Sequence, residues 1–215
     1  MKVIKKKTLQ EEIANNLRDM IMKGALEEGD KIKENELCNL MGISKTPLRE
    51  ALRVLSVEGL IRLVPNRGAY VSTPTFEEIK EMFDVMSVLE GVCAYAAAEK
   101  MSDSDFLSLE KLHKKLESCF ERSNQKEYIR HNNAYHSFLQ DLAGNHTLNL
   151  IINGLRQKIL LYRFQSLNLP ERFDQSIQEH RDLLEAFRKR NPEKAEDLMR
   201  FHLKMQCKAL EKLAK

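Results

Sequence analysis

Three histidines in the second half of the chain lie where a helix buries apolar side chains. His136, His180 and His202 each fall on a stripe that repeats every three or four residues, the spacing that places side chains on one helix face. The apolar members of the stripes are Tyr128, Tyr135, Leu139 and Leu142; Ile177, Leu184 and Phe187; and Ala195, Leu198, Met199 and Met205. Asn132 lies one turn before His136 on the same face. The sequence therefore predicts polar side chains inside a helical core.

A bound metal ion would satisfy these side chains. Unpaired imidazole nitrogens are costly in an apolar core, and a divalent cation such as zinc or nickel can bind three histidines at once. We predict a metal site made of Asn132, through its carbonyl oxygen, with His136, His180 and His202, and with positions open for water or a ligand. A single inward histidine is more often a hydrogen-bonded core residue, so a metal-free core in which the histidines bond one another is the alternative.

Two arginines lie in the segment LIINGLRQKILLYRF, between the helices that carry the histidines. Arg156 and Arg163 are seven residues apart at the edge of an apolar stripe, where they can hold an anionic small molecule over the metal. Arginines that extend their charged ends to the surface are the alternative. The other three histidines, His113, His131 and His146, lie off or beside the stripes, and we expect them at the surface.

A row of cationic side chains follows one face of a predicted helix in ISKTPLREALRVLSVEGLI, residues 43–61. Lys45, Arg49 and Arg53 lie at one-turn intervals. The opposite face is apolar and consists of Leu48, Ala51, Leu52 and Leu55. Because the apolar face must pack on neighbouring helices, the cationic row points outward, where arginine can bind guanine edges in the major groove of DNA. An ordinary solvated basic face is the alternative.

The start of this helix and a following hairpin add residues suited to DNA contact. Ser44 or Thr46 can cap the helix, and backbone amides in its first turn can meet phosphate. Asn66 and Arg67 lie at the hairpin tip, where Gly68 allows an unusual backbone angle, so they can contact phosphate or a minor groove. Hairpin tips are also often polar without binding DNA.

Short elements in the first 73 residues can position this basic surface. Thr8 and Glu11 have the form of a capping box ahead of a first helix that Gly24 ends. A second, short helix with Leu37, Leu40 and Met41 inward precedes the basic helix. The strands LIRLV and AYVS then flank the turn PNRG. Three helices and a hairpin in this order predict a winged helix-turn-helix domain over residues 1–73.

From residue 74 onward the pattern is helical. After a linker at Thr73–Pro74, helices are predicted over 76–100, 103–122, 125–143, 147–167, 173–189 and 192–213. Their starts are marked by Ser102, Asn124, Thr147 and Asn191–Pro192. The predicted fold class is mainly α: an N-terminal winged helix-turn-helix and a C-terminal all-helical antiparallel bundle over residues 74–215.

Composition limits the classes of protein that this chain can be. It has 215 residues, 42% hydrophobic, and no apolar run of the roughly 18 residues that a membrane span needs, so we expect a cytoplasmic protein. Residues 1–73 hold 13 Lys+Arg against 10 Asp+Glu, while the remainder is balanced at 22 each, so the net positive charge lies in the predicted DNA-binding part. The four cysteines form no CxxC pair.

The motifs resemble those of a known family. ISKTPLREALRVLSVEGLI and NRGAYVS resemble the N-terminal domain of GntR-family transcription regulators. LEGVCAYAAA, NNAYHSFL, AGNHTL, EHRDLLEAF and FHL resemble the FCD effector domain of the FadR subfamily. The resemblance implies a homodimer that binds a palindromic operator in double-stranded DNA. It also implies control by a small metabolite, commonly an organic acid and sometimes bound through a metal.

The resemblance also suggests roles for individual residues. It places Ser44, Lys45, Thr46, Arg49, Arg53, Asn66, Arg67 and Gly68 in the DNA-contacting set. It places His136, His180 and His202 where the metal-binding members have their histidines, with Asn132 where many have an aspartate. We expect a transcription regulator that acts as a repressor, rather than an enzyme. A helical metalloenzyme is the rival, although no Asp or Glu in the inner stripes beside the histidines is an obvious general base.

Overall fold

The computed structural model describes residues 8–72, 74–167, 169 and 171–212, apart from the side chains at positions 22, 160, 161, 164 and 165. The chain divides into two compact units, Met1–Thr75 and Phe76–Lys215. Thr73 of the predicted linker lies outside the described residues.

The first unit is a winged helix-turn-helix, as predicted. Its elements are α1 (Leu9–Met22), α2 (Glu34–Met41), α3 (Lys45–Val57), β1 (Ile61–Val64) and β2 (Gly68–Val71). Thr8 and Glu11 form the predicted capping box at the start of α1. The two strands are antiparallel, with Ile61 opposite Val71 and Val64 opposite Gly68. The resulting hairpin projects from the end of α3 as a wing.

The packing of α3 on α1 fixes which side of α3 faces solvent. Leu48, Leu52 and Leu55 are at most 1% exposed. An ion pair of 2.7 Å between Arg18 on α1 and the buried Glu58 ties the two helices together at the end of α3. The inward orientation predicted for Leu40 is wrong, since Leu40 is 74% exposed. α2 buries its other side, through Leu37 and Cys38.

The second unit is helical in its described residues. Its elements are α4 (Phe76–Lys100), α5 (Asp103–Glu121), α6 (Gln125–Ala143), α7 (His146–Lys158), α8 (Leu160–Leu167), α9 (Arg172–Arg188) and α10 (Pro192–Leu210). The single helix predicted over 147–167 is in fact two, because the backbone of Ile159 leaves the helical region at ψ 4°. The first of them starts one residue earlier than predicted, with Asn145 as its cap.

The helices of the second unit surround one core. α10 packs along α4, α6 packs on α4 and α5, and α9 packs on α5 and α10. Phe83, Tyr128, Tyr135 and Phe187 are among its largest fully buried side chains. α6, α9 and α10 therefore each direct one face toward the same interior. None of the described helices is both long and apolar enough to cross a membrane.

Candidate DNA interface and metal centre

The outward face of α3 presents the predicted cationic row. Lys45, Arg49 and Arg53 are all exposed. Arg49 pairs with Glu34 at 2.9 Å and Arg53 pairs with Glu50 at 2.8 Å, with 63% and 70% of the arginine side chains exposed. Exposed ion pairs of this kind contribute about 0–1 kcal/mol, so either arginine can exchange its carboxylate for a DNA phosphate or base at little cost.

The wing completes a groove beside this helix. The groove has a volume of about 680 Å³ and lies between α3 and the hairpin, with Arg49, Arg53 and Asn66 among its lining residues. Asn66 and Gly68 have φ angles of 59° and 99°. The tight turn that these left-handed conformations produce leaves Asn66 and the exposed Arg67 at the tip.

The amino-terminal end of α3 is open to solvent. Ser44 is the N-cap residue, but its side chain makes no capping hydrogen bond, and Thr46 in the first turn is exposed. Helix amino termini carry partial positive charge and unpaired amides, so this end of α3 favours a phosphate group.

The three histidines predicted from the stripes meet in the core of the second unit. His136 on α6, His180 on α9 and His202 on α10 are at most 1% exposed. Each offers one nitrogen that lies within 4.8 Å of the nitrogens offered by the other two. Their ring centroids are 4.8 to 5.5 Å apart.

One nitrogen of each ring is bonded to an acceptor oxygen. The bonds join His136 Nδ1 to Glu90 at 2.7 Å, His202 Nδ1 to Glu179 at 2.6 Å, and His180 Nε2 to the Oδ1 of Asn132 at 2.6 Å. Because these oxygens accept, each neutral ring carries its proton on the bonded nitrogen. The lone pairs are left on His136 Nε2, His180 Nδ1 and His202 Nε2. These three atoms have no hydrogen-bond partner among the residues that the structure describes.

The electrostatics of the core keep the three rings neutral. Burial, with Arg156 as the second cause, lowers the pKa of His136 to about 3. Burial likewise lowers the pKa of His202 and takes the pKa of His180 well below 6.5. Neutral imidazole is the form that binds metal ions, so these three rings could hold a divalent cation.

Asn132 lies beside the histidines and bonds to one of them. Its side-chain oxygen is the acceptor for His180 Nε2 and so orients that ring, while its role as a metal ligand stays a prediction. Partners of this type fix the ring nitrogen that faces a metal, and their loss typically weakens metal binding 10- to 100-fold.

Two carboxylates beside the histidines were missed by the sequence reasoning. The stripes indicated no Asp or Glu as an obvious general base, and they did not indicate that Glu90 bonds His136 and Glu179 bonds His202. Glu90 could have been found, because it continues the α4 stripe of Phe83 and Met86. Glu179 is harder to find, because its neighbour His180 is the residue that falls on the inward stripe at that turn.

Arginines hold both carboxylates in the ionised form. Arg156 binds Glu90 through Nε at 2.7 Å and also through Nη2, and Arg172 binds Glu179 at 3.0 and 2.8 Å. Burial alone raises the pKa of Glu90, but Arg156 and His136 outweigh it and hold the pKa well below its usual range. The pKa of Glu179 is lowered in the same way, against burial, by its bonds to His202 and Arg172. Carboxylates held so firmly in the charged form are weak general bases.

The two predicted effector arginines are buried, which excludes the surface-pair alternative. Arg156 and Arg163 are 8% and 3% exposed. Arg156 is neutralised by Glu90, whereas Arg163 donates from Nη1 to the neutral Asn133 at 2.8 Å. Among the described residues no carboxylate forms an ion pair with Arg163, and burial, followed by Arg156, lowers its pKa to about 9. Arg163 is therefore a buried cation without a counter-charge among the described residues.

The remaining histidines do not join the cluster. The surface placement predicted for His113 is wrong, because His113 is 5% exposed and packs edge-on near Tyr135, with ring centroids 6.5 Å apart. His131 is partly buried, and His146 is exposed as predicted.

Comparison with known protein families matches both units. The FCD domain model matches residues 81–205, and the model for bacterial regulatory proteins of the gntR family matches residues 9–71. The chain belongs to the GntR family. It is a DNA-binding transcriptional regulator with an FCD domain, and the family consists of regulators rather than enzymes.

Individual GntR-family relatives align with most of the chain. The regulator YdhC of Bacillus subtilis is 26% identical over 91% of this chain and 88% of its own length. The transcriptional repressor RspR of Escherichia coli is 24% identical over 91% of this chain and 86% of its own length. The solved structure of McbR/YncC from Escherichia coli covers 98% of this chain and 100% of its own, with a TM-score of 0.77 and 21% identity, which shows a shared fold.

The GntR assignment gives the exposed surface of the first unit its function. All eight residues predicted to contact DNA are exposed, at the start or outer face of α3 or at the wing tip. They are Ser44, Lys45, Thr46, Arg49, Arg53, Asn66, Arg67 and Gly68. The contact that each one makes with DNA stays a prediction.

Proposed function

We propose that this GntR-family regulator is a homodimeric repressor, controlled by an anionic metabolite that binds beside a divalent metal in the FCD domain. The observation that carries the proposal is the meeting of three buried imidazoles, each with one unpartnered nitrogen and each with a nitrogen within 4.8 Å of those of the other two. A transcription regulator acts where the chromosome is, so we place the protein in the cytoplasm. Repression is supported by the relative RspR, which is a transcriptional repressor.

The donor set fits zinc or nickel. Imidazole suits both metals, and three neutral rings with fixed protons are the arrangement found at metal sites that keep a position open. Nitrogens bound to one zinc ion at about 2.1 Å are at most about 4.2 Å apart, close to the separation within 4.8 Å in the structure. When bound, the metal supplies a Lewis acid to which an oxygen of an anionic ligand can bind.

The charge balance of the core favours an anionic effector. Three buried arginines, Arg156, Arg163 and Arg172, face two buried glutamates, Glu90 and Glu179, which leaves one positive charge uncompensated while the histidines are neutral. A divalent cation adds two more. We therefore propose that an organic acid binds with one carboxylate on Arg163, whose guanidinium can donate to it in bidentate form.

A second copy of the chain is the partner that we propose for the apolar face of α4 and α7. Val85, Val88 and Val92 follow one face of α4 and are 44 to 49% exposed. Leu150 and Ile151 on α7 are 61% and 48% exposed, and α7 packs on α4. Exposed apolar residues concentrated on two adjacent helices are typical of an obligate interface. A symmetric dimer would present two α3 helices to the two halves of a palindromic operator.

α4 gives a physical route from the effector to the DNA. The helix begins three residues after the linker position Thr73, carries Val88 on the proposed dimer face, and places Glu90 at the histidine cluster. A ligand that binds one arrangement of α4 better than another shifts the population toward it. If that arrangement changes the spacing of the two α3 helices from about one turn of DNA, one half-site is lost and affinity falls.

The test begins with selection of a tight-binding duplex from a random library, using the metal-loaded protein. Operator affinity is then measured by fluorescence anisotropy while small organic acids are added in turn. At least one acid should weaken binding tenfold or more, and Arg163→Gln should abolish this response while retaining operator affinity. Arg188→Gln, which changes an exposed arginine of α9, is the matched control. An Arg163→Gln variant that responds like the wild type would contradict the effector assignment.

A further inference from the structure

A small basic cavity lies between the start of α9 and the end of α10, apart from the histidine cluster. Its volume is about 230 Å³. Three cationic side chains line it: Arg172 from α9, and Lys208 and Lys212, one turn apart at the end of α10. Lys208 and Lys212 are exposed, so an ion can enter from solvent.

The cavity differs from a pair of surface lysines because it also contains the buried Arg172. The residue is 2% exposed although it lines the cavity. Its two terminal nitrogens bind Glu179, but its Nε has no partner among the described residues. A buried guanidinium N–H without an acceptor is costly, and an anion in the cavity would supply that acceptor once the Arg172 side chain turns its Nε toward it.

The charges indicate the class of ligand. Arg172, Lys208 and Lys212 bring three positive charges, and Glu179 offsets one of them, so the cavity carries a net charge of two. A phosphate group carries about −1.5 to −2 at neutral pH and offers several acceptor oxygens. We propose that this cavity binds a small oxyanion of the phosphate class, free or as the phosphate of a metabolite. This site goes beyond the metal and effector site of the proposed function and does not depend on it.

The cavity is connected to the histidine cluster by two consecutive interactions. Arg172 binds Glu179, and Glu179 accepts the Nδ1 proton of His202 at 2.6 Å. An anion that shares Arg172 draws positive charge away from Glu179, which then attracts the His202 proton more strongly. Occupancy of the cavity should therefore change the surroundings of the His202 ring.

Isothermal titration calorimetry of the whole 215-residue chain with inorganic phosphate tests the site. The wild type should bind one phosphate per chain, and the double variant Lys208→Gln/Lys212→Gln should bind at least tenfold more weakly. The matched control Lys189→Gln/Lys194→Gln changes two lysines at the opposite end of the α9–α10 pair and should bind as the wild type does. A parallel titration with glycerol 3-phosphate distinguishes the two sources of the anion. A site for phosphorylated metabolites binds both compounds, whereas a site for free phosphate binds inorganic phosphate alone.

Two further measurements separate this site from the metal. Chelator-treated protein, which holds no metal, should still bind one phosphate per chain. With nitrogen-labelled histidine, phosphate should shift the ring signals of His202 in the wild type and not in the double lysine variant. The proposal is overturned if neither phosphate compound binds saturably, if the lysine variant binds as tightly as the wild type, if treatment with chelator abolishes phosphate binding, or if the His202 signals do not move.

Discussion

Replacing Glu90 by glutamine removes one charge from the centre of the second unit and keeps the side chain's shape. Glu90 is 2% exposed and accepts hydrogen bonds from Arg156 Nε and His136 Nδ1, each at 2.7 Å. The variant leaves Arg156, 8% exposed, without a counter-charge. It also no longer fixes the proton of His136 on Nδ1, because an amide can donate as well as accept whereas a carboxylate only accepts.

The size of the effect follows from burial. Removing one partner of a buried ion pair costs about 3–5 kcal/mol, because the other charge stays buried and uncompensated. Glu90→Gln should lower the free energy of unfolding of the second unit by about that amount. Arg156→Met alone should also destabilise it, since it leaves Glu90 buried without its guanidinium. The double variant Glu90→Gln/Arg156→Met removes both charges. It should lower the free energy of unfolding by less than the two single variants do together.

Urea denaturation followed by circular dichroism measures these differences. The matched control is Glu185→Gln, whose carboxylate pairs with Arg188 and Lys189 at the surface with 45% of its side chain exposed. It should change the free energy of unfolding by less than about 1 kcal/mol. If Glu90→Gln lowers the free energy of unfolding by no more than Glu185→Gln does, the buried ion pair does not stabilise the second unit and the reasoning is wrong.

Three other predictions concern the DNA-binding surface, the proposed dimer face and the buried histidines. Arg49→Ala should weaken binding to the selected duplex by about 1–3 kcal/mol in fluorescence anisotropy, with Arg188→Ala unchanged; equal affinities would remove α3 from the DNA interface. Val88→Glu should convert the proposed dimer to monomers in sedimentation velocity, and a dimer of unchanged affinity would rule out the α4–α7 face. The buried histidines have pKa values below those of the unfolded chain, so the unfolded chain binds extra protons below pH 6.5. Metal-free protein should lose up to about 1.4 kcal/mol per pH unit for each histidine as the pH falls from 6.5 toward 5, and urea midpoints that do not fall between pH 7.5 and 5.5 would contradict this.

Helical periodicity was sufficient to place most of the site. Apolar stripes predicted the helices, and polar residues that interrupt them predicted His136, His180 and His202 as inward neighbours of a common centre. The same reasoning placed Arg49 and Arg53 outside, because α3 has to bury its leucines on α1. Local spacing carries this information because a helix has a fixed repeat.

The features that the sequence did not predict depend on contacts between distant parts of the chain. The break at Ile159 has no glycine or proline to mark it, so sequence alone predicted a continuous helix. The bond from Glu90 to His136 joins α4 to α6, and the partner of Asn132 is 48 residues away on α9. Whether an inward amide binds a metal or a histidine is decided by how α6 and α9 pack, which periodicity does not specify.

Calorimetric titration of chelator-treated protein with zinc or nickel at pH 7.5 tests the central claim most directly. The account predicts one ion per chain, at least a hundredfold weaker binding in His180→Ala, and wild-type binding in His146→Ala, which changes an exposed histidine. The account is contradicted if the wild type shows no saturable binding, or if His180→Ala binds the metal as tightly as the wild type.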